Sequence, residues 1–199
     1  MQFKTDMIGA GDTLNFQAVY TDGATRYNFQ SLAPQSFAMF GGSDIPGVYQ
    51  SVGLAAVADG VFATGTAIET VKTWGLRGAY NHNWDPYWNS ALYGAYAQVD
   101  YGSGATALIC GGLANFAVTR GIITCNPDFA VAQIGVITRW TPVKNLTFSL
   151  DTLYTRLDQK FEGFITPAAS IPAIAKPAAI YQLKDQSTVS MLARVQRNF

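Results

Sequence analysis

Apolar and polar residues alternate along this chain in runs of about ten, the length of a tilted membrane-spanning β-strand. The pattern predicts six strands and the tail of a seventh, over 2–5, 13–21, 70–82, 89–101, 128–141, 146–156 and 186–199. Successive side chains of a strand point to opposite faces, so each run has an apolar face and a polar face. We therefore predict an all-β protein built from antiparallel strands.

The polar faces carry the charges that lie inside the predicted strands: Arg77, Asp100, Arg139, Asp151 and Arg194. Because Asp100 is assigned to the polar face of strand 89–101, the residues at alternate positions are assigned to its apolar face. They are Ala91, Tyr93, Ala95, Ala97, Val99 and Tyr101. Charges on the apolar faces, Lys72, Arg156 and Arg197, lie only near strand ends, where long side chains can reach lipid headgroups. This distribution favours strands with lipid on one side and water on the other.

Soluble antiparallel sandwiches also have alternating strands, and they remain the alternative fold. Aromatic residues cluster at the ends of the predicted strands: Tyr20, Trp84, Tyr87, Trp88, Tyr93, Tyr101, Trp140, Tyr154 and Phe199. Amphipathic rings gather at the two membrane boundaries of a β-barrel. The aromatic pattern therefore favours a transmembrane barrel.

The connections alternate between short and long. Residues 6–12, 82–88 and 141–145 are short turns, whereas 22–69, 102–127 and 157–185 are long. Outer-membrane barrels have short periplasmic turns and long outer loops, so the last strand runs inward and Phe199 lies at the periplasmic end. We expect 22–69 to contain no crossing, although 47–58 could form a short helix and 57–64 a strand.

The composition favours a protein whose surface is partly in contact with lipid, because only 13% of the residues are charged, whereas 49% are hydrophobic and 13% aromatic. Thirteen Lys and Arg balance thirteen Asp and Glu without a basic run, which excludes a typical nucleic-acid binder. No apolar stretch approaches the roughly 20 residues of a spanning helix. Met1 is not followed by a secretory signal, so we expect a cytoplasmic protein or one whose N-terminal part is missing.

The sequence offers little covalent chemistry. Cys110 and Cys125 are predicted to form a disulfide in an oxidising compartment, with two reduced thiols as the cytosolic alternative. His82 is the sole histidine and is interpreted as a turn residue; we expect no catalytic residue, metal site or cofactor. The five polar-face charges are predicted to line a pore, and polar filling of a small barrel is the alternative.

Three segments resemble the trimeric outer-membrane porins of alphaproteobacteria, of the rhizobial and Brucella type. They are GAYNHNWDPYWNSALYGAYAQVDY, CNPDFAVAQIGVITRWTPVKNLTFSLDTLYTRL and the ending MLARVQRNF. The resemblance implies a sixteen-stranded barrel, passive diffusion of small hydrophilic solutes and ions, a homotrimer, and recognition of the last strand and Phe199 by the outer-membrane assembly machinery. About seven strands are found, so residues 1–199 are expected to be the C-terminal part of one barrel domain. The loop that narrows the family's pore is then expected in the missing N-terminal half.

Two other functions stay open. A sheet that closed at about eight strands would make a small barrel serving as a membrane anchor or adhesin, with its outer loops as the working part. A soluble β-sandwich binding module is the other candidate. The strand count and the solubility without detergent discriminate between them.

Overall fold

The computed structural model describes residues 2–5, 8–29, 36–114, 121–166 and 176–199. In chain order the elements are β1 (Gln2–Thr5), β2 (Asp12–Asp22), α1 (Arg26–Phe29), β3 (Phe37–Gly41), β4 (Gln50–Ala55), β5 (Gly60–Val61), β6 (Glu69–Thr70), β7 (Lys72–Asn83), β8 (Trp88–Asp100), α2 (Gly102–Ala114), β9 (Ile122–Thr124), β10 (Phe129–Val143), β11 (Leu146–Gln159), β12 (Glu162–Ile165), β13 (Tyr181–Leu183) and β14 (Gln186–Arg197). No described helix is long and apolar enough to cross a membrane.

Seven of these strands form the main sheet, in the order β1, β2, β7, β8, β10, β11, β14, with every neighbouring pair antiparallel. They are the seven strands that the alternation predicts, with bounds that agree within three residues. The all-β, antiparallel prediction is therefore confirmed. In the described part of the chain the sheet is open, with β1 and β14 as its edges, so a closed barrel is not observed.

The long connections do more than join strands. Five short strands from all three of them form a second sheet, in the order β3, β4, β13, β12, β9, which we call the upper sheet. Its one parallel pair joins β4 to β13, with Gln50 opposite Tyr181. Residues 30–35, 115–120 and 167–175 of these connections lie outside the described residues.

The secondary structure inside these connections differs from the sequence-based expectation. The segment 47–58, for which a helix was one possibility, contains β4 instead, because Val52 and Ala55 are buried by strand neighbours and by the main sheet. The segment 57–64 does contain strand residues, at β5. The connection 102–127 begins with the thirteen-residue helix α2, which the alternation did not indicate.

A hydrophobic core joins one end of the main sheet to the connections above it. We call this the long-connection end and the opposite one the short-turn end. The buried members are Phe29, Ala55, Val71, Ala97, Val99, Tyr101, Ala105, Phe129, Val131 and Leu157. Phe29 packs on Phe129 with ring centroids 5.5 Å apart, and Phe37 meets the same ring edge-on. The connections are thus folded down onto one face of the main sheet.

The other face of the main sheet is apolar and uncovered. Its exposed large side chains are Leu14, Phe16, Leu76, Leu92, Ile134, Val136, Leu150, Val189, Met191 and Val195. Two rows of rings border it. Trp88, Trp140 and Phe148 stack in succession at the short-turn end, with centroids 5.7 and 5.3 Å apart. Trp74 packs on Tyr96 at the other end, beside Tyr20.

Candidate functional site on the polar face

The strand register identifies which charges share the covered face of the main sheet, called here the polar face. Arg139 pairs with Ser149, which pairs with Arg194, so their backbones lie about 10 Å apart on alternate strands. Asp151 lies two residues after Ser149 in β11 and is on the same face. Arg77 is six rungs nearer the long-connection end, on the rung of Gln133, or roughly 20 Å from Arg139.

Asp100 is not among them. It pairs with Lys72 at the long-connection end, which puts both side chains on the apolar face, at its edge. Its carboxylate accepts a hydrogen bond from the Gly102 backbone N–H (2.8 Å), next to the start of α2. The assignment of Asp100 to the polar set is therefore corrected.

The same register corrects the faces of β8 as a whole. Tyr93 pairs with Ala79 and Ala95 with Arg77, so the set that includes Ala91, Tyr93, Ala95, Ala97 and Val99 lies on the polar face. The alternation misleads because the side of β8 that lies on the apolar face carries Ser90, Gln98 and Asp100, whereas its inner side is the more apolar one. Its inner side is apolar for a local reason, since Ala97 and Val99 belong to the core beneath the connections.

The four remaining charges, Arg77, Arg139, Asp151 and Arg194, take no part in the ion pairs found among the described residues. Arg139 makes one hydrogen bond, from its Nη1 to the side-chain oxygen of Asn89 (3.3 Å). The electrostatic field of a charge without a counter-ion is not neutralised locally, so it can act on a passing ion or solute.

Tyr93 fixes the position of the one acidic group. Its hydroxyl donates to the Asp151 carboxylate (2.6 Å) although β10 lies between their strands. The ring crosses β10 at Gly135, where an added Cβ would collide with the ring. Glycine is therefore required at 135 for Tyr93 to reach Asp151.

Arg77 is held from above by α1. Its Nη2 donates to the backbone carbonyl of Tyr27 (2.7 Å). Next to it, the Asn28 side-chain amide donates to the Thr73 hydroxyl (2.7 Å), and Gly75 leaves the space that Asn28 occupies. A short helix from a long connection is thus anchored over the middle of the polar face.

Two further contacts secure this segment. Asp59 accepts hydrogen bonds from the backbone N–H and the hydroxyl of Thr25, at 2.7 and 2.8 Å. The hydroxyl of buried Tyr101 donates to the Ala56 carbonyl. Burial, aided by the negative charge of Asp128, raises the pKa of Tyr101 to about 12, so this donor keeps its proton at neutral pH.

A cavity of about 600 Å³ lies on the polar face around Arg77. Polar side chains line one part of it: Asn15, Gln17, Asn28, Arg77, Tyr93 and Gln133. Phe29, Ala97 and Val131 form an apolar part beside the core.

The short-turn end holds a cluster that sequence reasoning missed. Asp12 is fully buried and accepts hydrogen bonds from the Tyr80 hydroxyl, the Asn83 backbone N–H (3.1 Å) and the Gly9 backbone N–H (3.1 Å). His82 Nδ1 lies 2.8 Å from the same carboxylate. His82 is therefore more than a turn residue. Its partner could be found only from the register, because 49 residues separate β2 from β7.

The remaining predicted residues lie away from the polar face. Cys110 in α2 and Cys125 after β9 form the predicted disulfide, with Cα atoms 6.0 Å apart. Phe199 is fully exposed beyond β14, with the Arg197 guanidinium 5.6 Å from its ring centre. Among the described residues, no group of His, Cys, Asp and Glu could hold a metal ion.

The main sheet thus has an exposed apolar face bordered by aromatic rings and an opposite face with fixed charges. This arrangement is typical of β-sheet proteins whose two faces contact different media, one apolar and one aqueous. The chain belongs to the porin subfamily, whose family model matches residues 1–192. Membership indicates a transport channel rather than an enzyme. No curated protein and no solved structure matches the chain.

Proposed function

We propose that this chain forms part of the wall of a bacterial outer-membrane porin, a passive diffusion pore for small hydrophilic solutes and ions. The main support is the two-sided main sheet, because a soluble sandwich would bury the face that carries Leu92, Ile134 and Leu150. Trp88 and Tyr96, which mark the two aromatic rows on β8, are eight positions apart, or roughly 27 Å along the strand. For a strand tilted by about 40°, the projection of this distance on the membrane normal approaches the height of the apolar band of a membrane barrel.

The proposed topology has the long-connection end outside the cell, with 22–69, 102–127 and 157–185 as outer loops, and the short-turn end in the periplasm. Residues 1–199 are then the C-terminal part of one barrel domain of about sixteen strands. Among the described residues β1 and β14 are the edges of the main sheet, and the proposal places further strands beside them, since an open edge in lipid would leave backbone groups unsatisfied. A homotrimer of the alphaproteobacterial type, and recognition of β14 and Phe199 by the assembly machinery, complete the proposal.

The register also puts Lys4, opposite Thr13, on the polar face, so in this pore five charges of the face act on passing ions. Four of them are positive (Lys4, Arg77, Arg139 and Arg194) and Asp151 is negative, so the described wall has a net positive field. Fixed charges along a watery pore bias which ions pass. We expect a preference for anions from this part of the wall.

The test is ion selectivity in planar bilayers that contain the purified protein. Replacing both Arg139→Gln and Arg194→Gln is expected to shift the reversal potential in a salt gradient toward cation preference. Arg197→Gln is the matched control, because that arginine lies on the apolar face at a strand end and should leave selectivity unchanged. An unchanged reversal potential in the double variant contradicts the assignment of these residues to the pore wall.

A second candidate is an outer-membrane anchor whose outer loops do the work. The upper sheet favours it, because three connections share a sheet and a core of their own around Val52, Phe161 and Tyr181. Bilayers separate the two functions: protein that inserts without conductance steps supports the anchor. A monodisperse monomer obtained without detergent would contradict both and support a soluble binding module.

A further inference from the structure

We propose that the cavity beneath α1 is a binding site for a small organic carboxylate, and that Arg77 selects the negative charge. The placement of this site in a solute path rests on the proposed pore function. The binding itself does not, because it is argued from the cavity alone.

The charge of the cavity is one-sided. Arg77 is the only ionisable group besides Tyr93 among its described lining residues, and the rest are amide or apolar side chains. Of these lining residues, Tyr93 contacts a carboxylate: its hydroxyl donates its hydrogen bond to Asp151. Tyr93 therefore offers the cavity its ring, while the Asp151 carboxylate stays bonded on the far side of β10.

Arg77 is oriented and still has donors to spare. The bond from Nη2 to the Tyr27 carbonyl uses one of five guanidinium N–H groups. A carboxylate can accept two parallel hydrogen bonds from such a group. The ligand would therefore meet a guanidinium whose position α1 has already set, which lowers the entropy lost on binding.

The surroundings indicate which anion fits. A single arginine with no second cation suits a monoanion better than a phosphate dianion, which calls for further positive charge or a metal. The apolar part, formed by Phe29, Ala97 and Val131, can cover a hydrocarbon group. A volume of about 600 Å³ is ample for a ring or a short chain.

Binding is tested by calorimetric titration of the detergent-solubilised protein with benzoate, with its neutral isostere benzamide, and with inorganic phosphate. We expect benzoate to bind more tightly than both. Arg77→Gln should weaken benzoate at least about tenfold, the loss of one charge-assisted hydrogen bond, and leave benzamide nearly unchanged. Arg197→Gln is the matched control, because that arginine lies on the apolar face and outside the cavity.

A structural role for Arg77 needs separate control, because the variant also loses the bond to α1. Arg77→Lys keeps the charge without the planar fork and should recover part of the benzoate affinity, whereas a collapsed cavity would not. The proposal is overturned if benzamide binds the unaltered protein as well as benzoate, or if Arg77→Gln leaves benzoate binding unchanged. Conductance of the same preparations is measured in parallel, so that a protein that binds without conducting refutes only the pore.

Discussion

The two ends of the polar face are built from the same seven strands but have opposite surroundings. At the long-connection end, Phe129, Val131 and Leu157 are buried under α1 and the upper sheet. At the short-turn end, Arg194 is exposed and Arg139 is half-buried, and neither belongs to that core. A face assigned to water by its charges can therefore be a packed core over part of its length.

The largest effect is expected from removing the centre of that core. Phe129→Ala should lower the free energy of unfolding by about 3–5 kcal/mol, because it leaves a cavity among Phe29, Phe37 and the main sheet. Urea unfolding in detergent micelles measures it. Phe148→Ala, on the apolar face and about one third exposed, is the control and should cost clearly less. Equal losses would mean that the long-connection end is not the more tightly packed region.

A smaller effect separates the two faces rather than the two ends. Ile134→Arg puts a charge in the middle of the apolar face and should destabilise the protein in lipid vesicles by about 2–4 kcal/mol. Ile137→Arg makes the same change three residues later, on the polar face opposite Asp151, and should be tolerated. Folding into vesicles, followed by the heat-modifiable shift in electrophoresis, compares them. Similar yields for both variants would count against lipid on the apolar face.

The smallest effect concerns how the short-turn end is held without a large core. Asp12→Asn replaces an acceptor that serves His82, Tyr80 and two backbone N–H groups, so the unfolding midpoint should fall by roughly 3–8 °C. Thermal unfolding by circular dichroism measures the shift. Asp85→Asn is a matched control, since that aspartate caps an exposed turn at the same end. A control that fell as far as Asp12→Asn would remove the special role of the buried cluster.

Much of the main sheet could be predicted because its information is local. Leu14, Phe16 and Tyr20 alternate with polar residues whatever the neighbouring strands do, and the turns between strands are short. Four of the five proposed pore charges share one face for the same reason. Asp100 does not, because β8 has small apolar residues on its inner side and Ser90 and Gln98 on the side that lies on the apolar face, so only the pairing with its neighbours decides between them.

The rest depends on contacts between distant residues. β4 pairs with β13 across about 130 positions, and neither segment alternates clearly enough to show it. Phe29 and Arg77 line one cavity only because α1 lies on the main sheet, so the cavity has no linear motif. The Asp12 and His82 contact is hidden in the same way by the length of that connection.

The parallel pairing of β4 with β13 also sets an order of events during folding. The Cys110–Cys125 crosslink closes a short loop and needs no contact with later strands. The upper sheet is complete only when β13, which contains Tyr181, pairs with β4, and β13 directly precedes the last strand in the chain. Contacts so far apart in sequence form late because of the entropy of closing the loop. We therefore expect the layer over the polar face to form late in folding, and a chain that stopped before β13 would leave that layer incomplete.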